Sequence, residues 1–274
     1  MEKHQCEEFD NTDTPAANWS DWMAALSDDL SLSDLSVPGT HDSLSMFGGS
    51  RLQCQSLPLE RQYEAGIRFV DVRCKLRDGE FFIYHVNTFQ QADFRSVLDT
   101  TFAFLDRHPR EAVLMRVKEE YAFFGSSGFT ERFKRYLDQE GQGRTWHFEA
   151  IPTLGQARGK IVILEEIESE KLGIPYEHLN VGDRWKVLSQ TNKWANVEAH
   201  LEAAVSGDRK KMYLTFCSGN GLFTTPEKLA RFINTCLYQY LKSRSDPTIR
   251  WGVVIMDFPG AELIRMIKDS NART

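Results

Sequence analysis

No run of roughly 18 apolar residues occurs anywhere in this 274-residue chain, so no segment is long enough to cross a bilayer as a helix. The opening residues, MEKHQCEEFD, hold no apolar stretch behind their charges and do not read as a signal peptide. The expectation is a chain that stays inside the cell or has lost a leader. Cysteine is scarce: the five residues Cys6, Cys54, Cys74, Cys217 and Cys236 are odd in number and none are spaced C-x-x-C. That argues against a zinc ribbon or thioredoxin-type site and favours reduced, buried thiols. Basic residues are in deficit, with Lys and Arg at 33, Asp and Glu at 39, and a net charge of −6. Net acidity makes such a chain a poor default nucleic-acid binder, since phosphate neutralisation needs a basic face, and argues against docking on an anionic membrane by global electrostatics alone. The motifs H-E-x-x-H, G-x-S-x-G and G-x-x-x-x-G-K-[ST] are all missing, which removes the main support for zinc peptidase, serine esterase and P-loop readings. Low-complexity tracts, linkers and internal repeats are missing too, so residues 1–274 are expected to form one domain behind an apolar-poor leader over 1–17.

What is present is globular. Apolar residues make up 41% and charged residues 26%, and 18 Phe with 6 Trp can build a large core with rings to spare for surfaces. Trp19, Trp22, Met23 and Leu26 recur at helical spacing and predict a helix over 18–30. Strands are predicted at Leu35–Val37, Ile67–Leu76, Phe81–Val86, Ala112–Val117, Lys160–Leu164, Leu179–Val181, Met212–Cys217 and Ile249–Met256. Helices are predicted near 57–65, through the stripe Phe94, Val97, Leu98, Phe102 and Leu105, near 129–139, over 193–205, from Thr225-Pro226 onward, and after Gly260. About eight strands alternating with helices imply an α/β fold built on a parallel sheet, and that number of units in this length fits a (β/α)8 TIM barrel.

In such a barrel, chemistry sits just past the C-terminal ends of the strands. The first predicted strand runs into Pro38-Gly39-Thr40-His41-Asp42-Ser43. The second carries Asp71 and Arg73, the third ends at His85, the fourth at Lys118 and Glu119, and the last at Asp257. The loop around the sixth holds Asp183 and Trp185. Two histidines on opposite sides of a phosphodiester serve as general base and general acid, and an arginine between them binds the phosphoryl oxygens. A carboxylate behind a histidine fixes its tautomer. From spacing alone, plainer readings stay open: His85 as a structural histidine, Asp71 and Arg73 as a buried ion pair, and Asp257 as a turn residue. His4, His108, His147, His178 and His200 are read as structural.

The segment Leu35-Ser36-Val37-Pro38-Gly39-Thr40-His41-Asp42-Ser43 resembles the I-P-G-T-H-x-S signature of the X-domain of bacterial, metal-independent phosphatidylinositol-specific phospholipase C. Gly66-Ile67-Arg68-Phe69-Val70-Asp71-Val72-Arg73 is similar to that family's G-x-R-x-x-D-x-R strand. Tyr84-His85, Val117-Lys118-Glu119-Glu120-Tyr121, Ala157 to Val162 and Trp251 to Asp257 follow in the same order across residues 18–268. The resemblance implies a distorted, incompletely closed (β/α) barrel. It implies cleavage of phosphatidylinositol to diacylglycerol and inositol 1,2-cyclic phosphate, with neither metal nor other cofactor. It assigns the general base to His41 with Asp257 behind it, the general acid to His85, phosphate binding to Arg73, and support of both Arg73 and the acid to Asp42. Lys118, Asp183 and Trp185 fall where inositol hydroxyls are bound and a ring is stacked, and Asp71 is grouped with these substrate contacts. One departure stands out: an arginine that contacts inositol in relatives is replaced by Glu166.

A substrate held in a bilayer calls for apolar groups around the mouth. Met46, Phe47, Phe123, Phe124, Leu222 and Phe223 are the expected rim, and rings there gain from partial insertion. The same rim could join copies of an otherwise monomeric chain. Bacterial relatives are secreted, so secretion is expected, with the cytoplasm as alternative. Competing functional readings are a metal-dependent glycerophosphodiester phosphodiesterase and a catalytically silent phosphoinositide-binding module.

Overall fold

The computed structural model describes residues 2–120, 128–167, 172–222, 224–244, 246 and 248–272. Its strands are β1 (Val37–Thr40), β2 (Phe69–Arg77), β3 (Glu80–His85), β4 (Thr88–Asp93), β5 (Val113–Glu119), β6 (Thr145–Trp146), β7 (Ile161–Glu166), β8 (Ile174–Pro175), β9 (Asn180–Gly182), β10 (Tyr213–Phe216) and β11 (Val253–Met256). Its α-helices are α1 (Leu59–Glu64), α2 (Phe94–Arg107), α3 (Phe129–Arg135), α4 (Leu154–Ala157), α5 (Gln190–Ser206), α6 (Pro226–Lys242) and α7 (Ala261–Asp269). The sheet runs β6-β7-β5-β2-β1-β11-β10-β9 with every neighbour parallel, a curled half-barrel. Beyond β7 the edge is divided between two short strands, β6 against Ile161 and Val162 and β8 against Leu164 and Glu165. Among the described residues neither of them pairs with β9, so the ring stays open there, in agreement with the expected incomplete closure.

Strand side chains alternate between two faces, and that period of two decides what lies inside. Val37, Phe69, Leu114, Val162, Leu164, Leu214, Phe216, Val253 and Ile255 fill the interior. The alternate residues Val70, Val72, Met115, Val117, Ile161 and Ile163 face outward beneath α1 to α3. Val254, Met256 and Cys217 do the same beneath α5 to α7. Gly39 is needed on β1 because a Cβ there would lie 2.8 Å from Cδ1 of Phe69 on the next strand. Continuing the inward series toward the strand ends gives Asp71 and Arg73, Arg116 and Lys118, Glu166, and Asp257. An apolar floor thus carries a charged upper layer.

Three expectations need correction. The helix over 18–30 reduces to a single 3-10 turn at Trp22–Ala25. Its backbone is claimed by distant side chains instead: Met23 N–H donates to Glu111 at 3.0 Å, and Arg158 donates to the carbonyls of Met23 and Leu26. The strand ending at His85 is not a parallel barrel strand. β3 pairs antiparallel with β2 and then with β4, a strand missed because Thr88-Phe89-Gln90-Gln91 has little apolar signal. The segment before residue 17 is not a loose leader, since Phe9 is buried against Phe258 and Asp10 N–H bonds the Phe258 carbonyl.

Below the floor, Arg68 and Glu111 form a fully buried ion pair at 2.8 Å. The guanidinium also donates to the carbonyls of Tyr63, Ile67, Trp19 and Ser20, and it stacks 4.6 Å from the Phe104 ring centroid. With every donor used, the pair ties the amino-terminal segment to the start of β2. Removing one partner strands a charge in the core, so Glu111→Ala is expected to lower unfolding free energy by about 3–5 kcal/mol, measured by urea titration.

Candidate active site

The turn after β1 brings His41 and Asp42 over the mouth. Asp42 has φ 42°, a left-handed conformation that aspartate and asparagine tolerate better than most residues. Its N–H donates to Asp71 Oδ2 at 3.0 Å, which fixes the turn against β2. His41 Nδ1 lies 2.8 Å from Asp257 Oδ1, and its Nε2 lies 2.7 Å from Arg73 Nη2. A guanidinium can only donate, so Nε2 must accept and Nδ1 must carry the proton it gives to Asp257. Burial first, and the neighbouring Arg73 charge second, hold the His41 pKa well below its usual value. Both effects disfavour the protonated ring, and Nε2 is engaged by the Arg73 guanidinium.

Arg73 is anchored from below. Asp71 Oδ2 accepts from its Nε at 3.2 Å and its Nη2 at 2.9 Å, and Asp42 Oδ2 stands 3.6 Å from Nη1. Asp71 Oδ1 in turn accepts from Arg116 at 3.1 Å. Burial pulls the Asp71 carboxyl upward, but Arg73 and Arg116 outweigh it and hold the group far below the usual carboxylate range. Asp71 was grouped with the substrate contacts; the structure instead buries it completely beneath the two guanidinium groups, with its oxygens already engaged.

His85 arrives from the β3–β4 hairpin. Its Nδ1 is 2.8 Å from both Ser45 Oγ and the Leu52 carbonyl, and 3.2 Å from Asp42 Oδ2. The hairpin turn is strained: Val86, β-branched, has φ 57°. Glu120 secures it by accepting from Val86 N–H at 2.8 Å, while its other oxygen lies 4.0 Å from Arg73. The five residues expected to be catalytic (His41, His85, Asp42, Arg73 and Asp257) thus converge on one mouth.

Lys118 is half-exposed and pairs with Glu166 Oε1 at 3.3 Å, and Glu166 also accepts from Arg116 Nε at 2.7 Å. Asp183, just past β9, is exposed, and its carboxyl feels the opposite charges of Lys193, Arg116 and Arg73. Trp185 is 56% exposed. Of the rim, Phe47 is 39% and Leu222 79% exposed, whereas Met46 is half-buried; Phe123, Phe124 and Phe223 lie outside the described residues.

Sequence reasoning missed Arg116, Glu120 and Lys193. Arg116 could have been found two residues before Lys118 on one strand face. Lys193 leads the buried stripe Lys193, Val197, Leu201 and Ala204 of α5, and its ammonium donates to the Phe216 carbonyl at 2.7 Å and the Arg184 carbonyl at 3.3 Å.

The family profile described as phosphatidylinositol-specific phospholipase C, X domain, matches residues 31–167. A 1-phosphatidylinositol phosphodiesterase of Listeria monocytogenes is 32% identical, over 91% of this chain and 84% of that protein. This chain belongs to the phosphatidylinositol-specific phospholipase C X-domain family. A Staphylococcus aureus protein also called 1-phosphatidylinositol phosphodiesterase is 22% identical, over 95% of this chain and 96% of its own. The solved structure of phosphatidylinositol-specific phospholipase C from Listeria monocytogenes superposes with TM-score 0.83 at 29% identity, covering 94% of this chain and 100% of that one. The X-domain profile ends at Glu166-Ile167, so it spans His41, Asp42, Arg73, His85 and Lys118 but not Asp257, which the barrel's last strand returns to the same mouth.

The electrostatics predict a pH-dependent stability. Burial pushes Asp42 from 3.8 up to about 6, against the opposing pull of Arg73 and His85. Between those values the folded state binds the proton and the unfolded state releases it, so stability falls as pH rises through this window. Asp42→Asn removes this loss and keeps the left-handed turn. The variant is expected to be more stable than the parent by ~1–3 kcal/mol at pH 8, with the gap shrinking toward pH 4, in denaturant titrations at both pH values.

Proposed function

We propose that this chain cleaves phosphatidylinositol into diacylglycerol and inositol 1,2-cyclic phosphate, with residues 1–274 acting as one catalytic unit. The observation that carries the reading is the convergence of a neutral imidazole and a guanidinium at 2.7 Å, with a second histidine braced by the carboxylate that faces the same guanidinium. The inositol 2-hydroxyl gives its proton to His41 Nε2 and attacks the adjacent phosphorus. Attack from within the substrate needs no protein nucleophile and gains the proximity advantage of an intramolecular step. Arg73 binds the phosphoryl oxygens and offsets the charge that grows on them. His85 protonates the departing diacylglycerol oxygen, and Asp257 and Asp42 orient the two rings. Lys118, Asp183 and Trp185 bind the inositol ring. With the two histidines exchanging roles, water can then open the cyclic ester slowly.

No metal enters this scheme, because Arg73 supplies the positive charge at the phosphate. The setting is a secreted enzyme at a membrane surface, where Phe47 and Leu222 belong to an apolar rim that touches lipid. A glycerophosphodiester phosphodiesterase would instead stop in excess chelator, and a silent binding module would show no turnover.

With phosphatidylinositol vesicles and excess chelator, phosphorus NMR is expected to show the five-membered cyclic ester; a monophosphate or phosphatidate as first product overturns the reading. His41→Ala is expected to lower turnover by roughly 10²–10⁴-fold, the span of general acid–base catalysis, while head-group binding persists. Replacing Phe47 and Leu222 together with serine should weaken binding to vesicles in a sedimentation assay. Turnover of soluble inositol 1,2-cyclic phosphate should remain, and equal losses on both substrates would reject the rim.

A further inference from the structure

The mechanism leaves one group at the heart of the site unused, the thiol of Cys54. It is fully buried, and its Sγ lies 3.4 Å from the Leu52 carbonyl. One donor atom each from Cys54, Asp42 and His85 falls within 4.8 Å of the other two. The Leu52 carbonyl and Ser45 Oγ are both 2.8 Å from His85 Nδ1, so two further oxygen donors border the same space. Asp42 is buried, and although its Oδ2 lies within ion-pair distance of His85 and Arg73, neither of its carboxylate oxygens makes a hydrogen bond. Buried polar atoms are nearly always paired, and an exception needs a reason.

We propose that Asp42, Cys54 and His85 form a site for a thiophilic divalent cation of the zinc class, and that filling it switches the enzyme off. Thiolate, imidazole and carboxylate are the donors zinc takes in tetrahedral sites, and the remaining position is left for water or the Leu52 carbonyl. Calcium and magnesium prefer all-oxygen ligands and are poor occupants. The charges balance as well. Burial, Asp257 and Asp42 keep the thiol protonated in the free protein, and a dication beside it reverses that penalty by neutralising one thiolate and one carboxylate.

The proton accounting explains the inhibition. From the doubly protonated ring that a general acid requires, binding releases the thiol proton and the Nδ1 proton of His85 to solvent. The metal takes both vacated electron pairs. His85 then keeps only a proton on Nε2 of a neutral, metal-bound ring, which is a far weaker acid than imidazolium. Asp42, drawn to the metal, no longer faces Arg73. A second triplet, His41, Cys54 and Asp257, has similar spacing but is less suited. Its histidine is already committed to Asp257 at 2.8 Å and to the cationic Arg73 at 2.7 Å.

The inhibition rests on the phospholipase reading, whereas the binding does not, and the experiment separates them. Metal-free protein is titrated with cobalt(II) and its absorption recorded, then with zinc(II) while cleavage of a soluble short-chain phosphatidylinositol, the step in which His85 is the acid, is followed. The expected result is one metal per chain, a thiolate-to-cobalt charge-transfer band in the near ultraviolet, and zinc inhibition that a chelator reverses. Cys54→Ser and Cys54→Ala should keep turnover, lose the band, and need at least ~100-fold more zinc for the same inhibition, since loss even of an outer partner costs 10–100-fold in affinity. A cobalt spectrum with no thiolate band overturns the site, as does equal zinc sensitivity in the Cys54 variants. Should neither variant fold, the parent protein's cobalt spectrum and stoichiometry decide alone. A thiolate band in a protein that turns over no inositol phosphodiester would sink the functional reading and leave the metal site standing.

Discussion

A single buried carboxylate, Asp71, holds the site in register. One oxygen accepts from Arg73 and from the N–H of Asp42, and the other accepts from Arg116. Two strands, β2 and β5, and the turn that carries His41 are thereby tied to one group with no access to water. Burial alone would favour the protonated carboxyl, and the two guanidinium groups, helped by the Asp42 N–H, keep it ionised. The dependence is mutual, because Arg73 keeps its fixed direction only while Asp71 is charged. Arg73, the turn that carries His41, and Arg116 thus share one electrostatic anchor, set directly above the apolar floor of Phe69, Leu114 and Ile255.

The same anchor accounts for the departure at Glu166. Where the resemblance leads to the expectation of an arginine, this chain carries a carboxylate, and a guanidinium stands one strand away at position 116. Arg116 lies 4.7 Å from the Tyr176 ring centroid and 5.4 Å from that of Phe216, reaching Asp71 on one side and Glu166 on the other. Glu166 then passes the interaction on to Lys118. The result is a continuous alternation of charge, Arg73, Asp71, Arg116, Glu166 and Lys118, across neighbouring strands.

Much of this was legible in the sequence because strand periodicity is a strong local signal. Asp71 and Arg73, two apart, had to share a face, and so did Arg116 and Lys118. Convergence across the barrel followed from the rule about strand ends. Local pattern failed where distant groups decide the backbone. Trp22 and Met23 have helical spacing, yet Glu111 and Arg158 claim the hydrogen bonds a helix would have used. The hairpin of β3 and β4 was hidden because its turn, Val86-Asn87, lacks the glycine that such turns usually show; Glu120, remote in sequence, supplies the restraint instead. Cys54 carried no signal because it sits in an irregular loop whose proximity to His85 is set only by the fold.

On the proposed reading, with His41 as the base, its contact with Arg73 bears on how that base is kept ready. In the free site the guanidinium donates to the very nitrogen that must accept the substrate's proton. That bond, together with burial, disfavours the protonated ring, so His41 is held as a neutral base instead of being lost to imidazolium at moderately acid pH. An incoming phosphodiester offers Arg73 a better partner, two anionic oxygens in the fork geometry a guanidinium prefers. As the guanidinium turns to the phosphate, Nε2 is freed at the moment the 2-hydroxyl arrives beside it. The arginine thus does two things in sequence on the proposed reading: it guards the base before the substrate binds, and it neutralises the phosphate afterward. A lysine at position 73 could supply the second effect as a point charge. It has no fork with which to hold Asp71 and reach Nε2 together, so the geometry of the side chain, and not its charge alone, couples binding to base release.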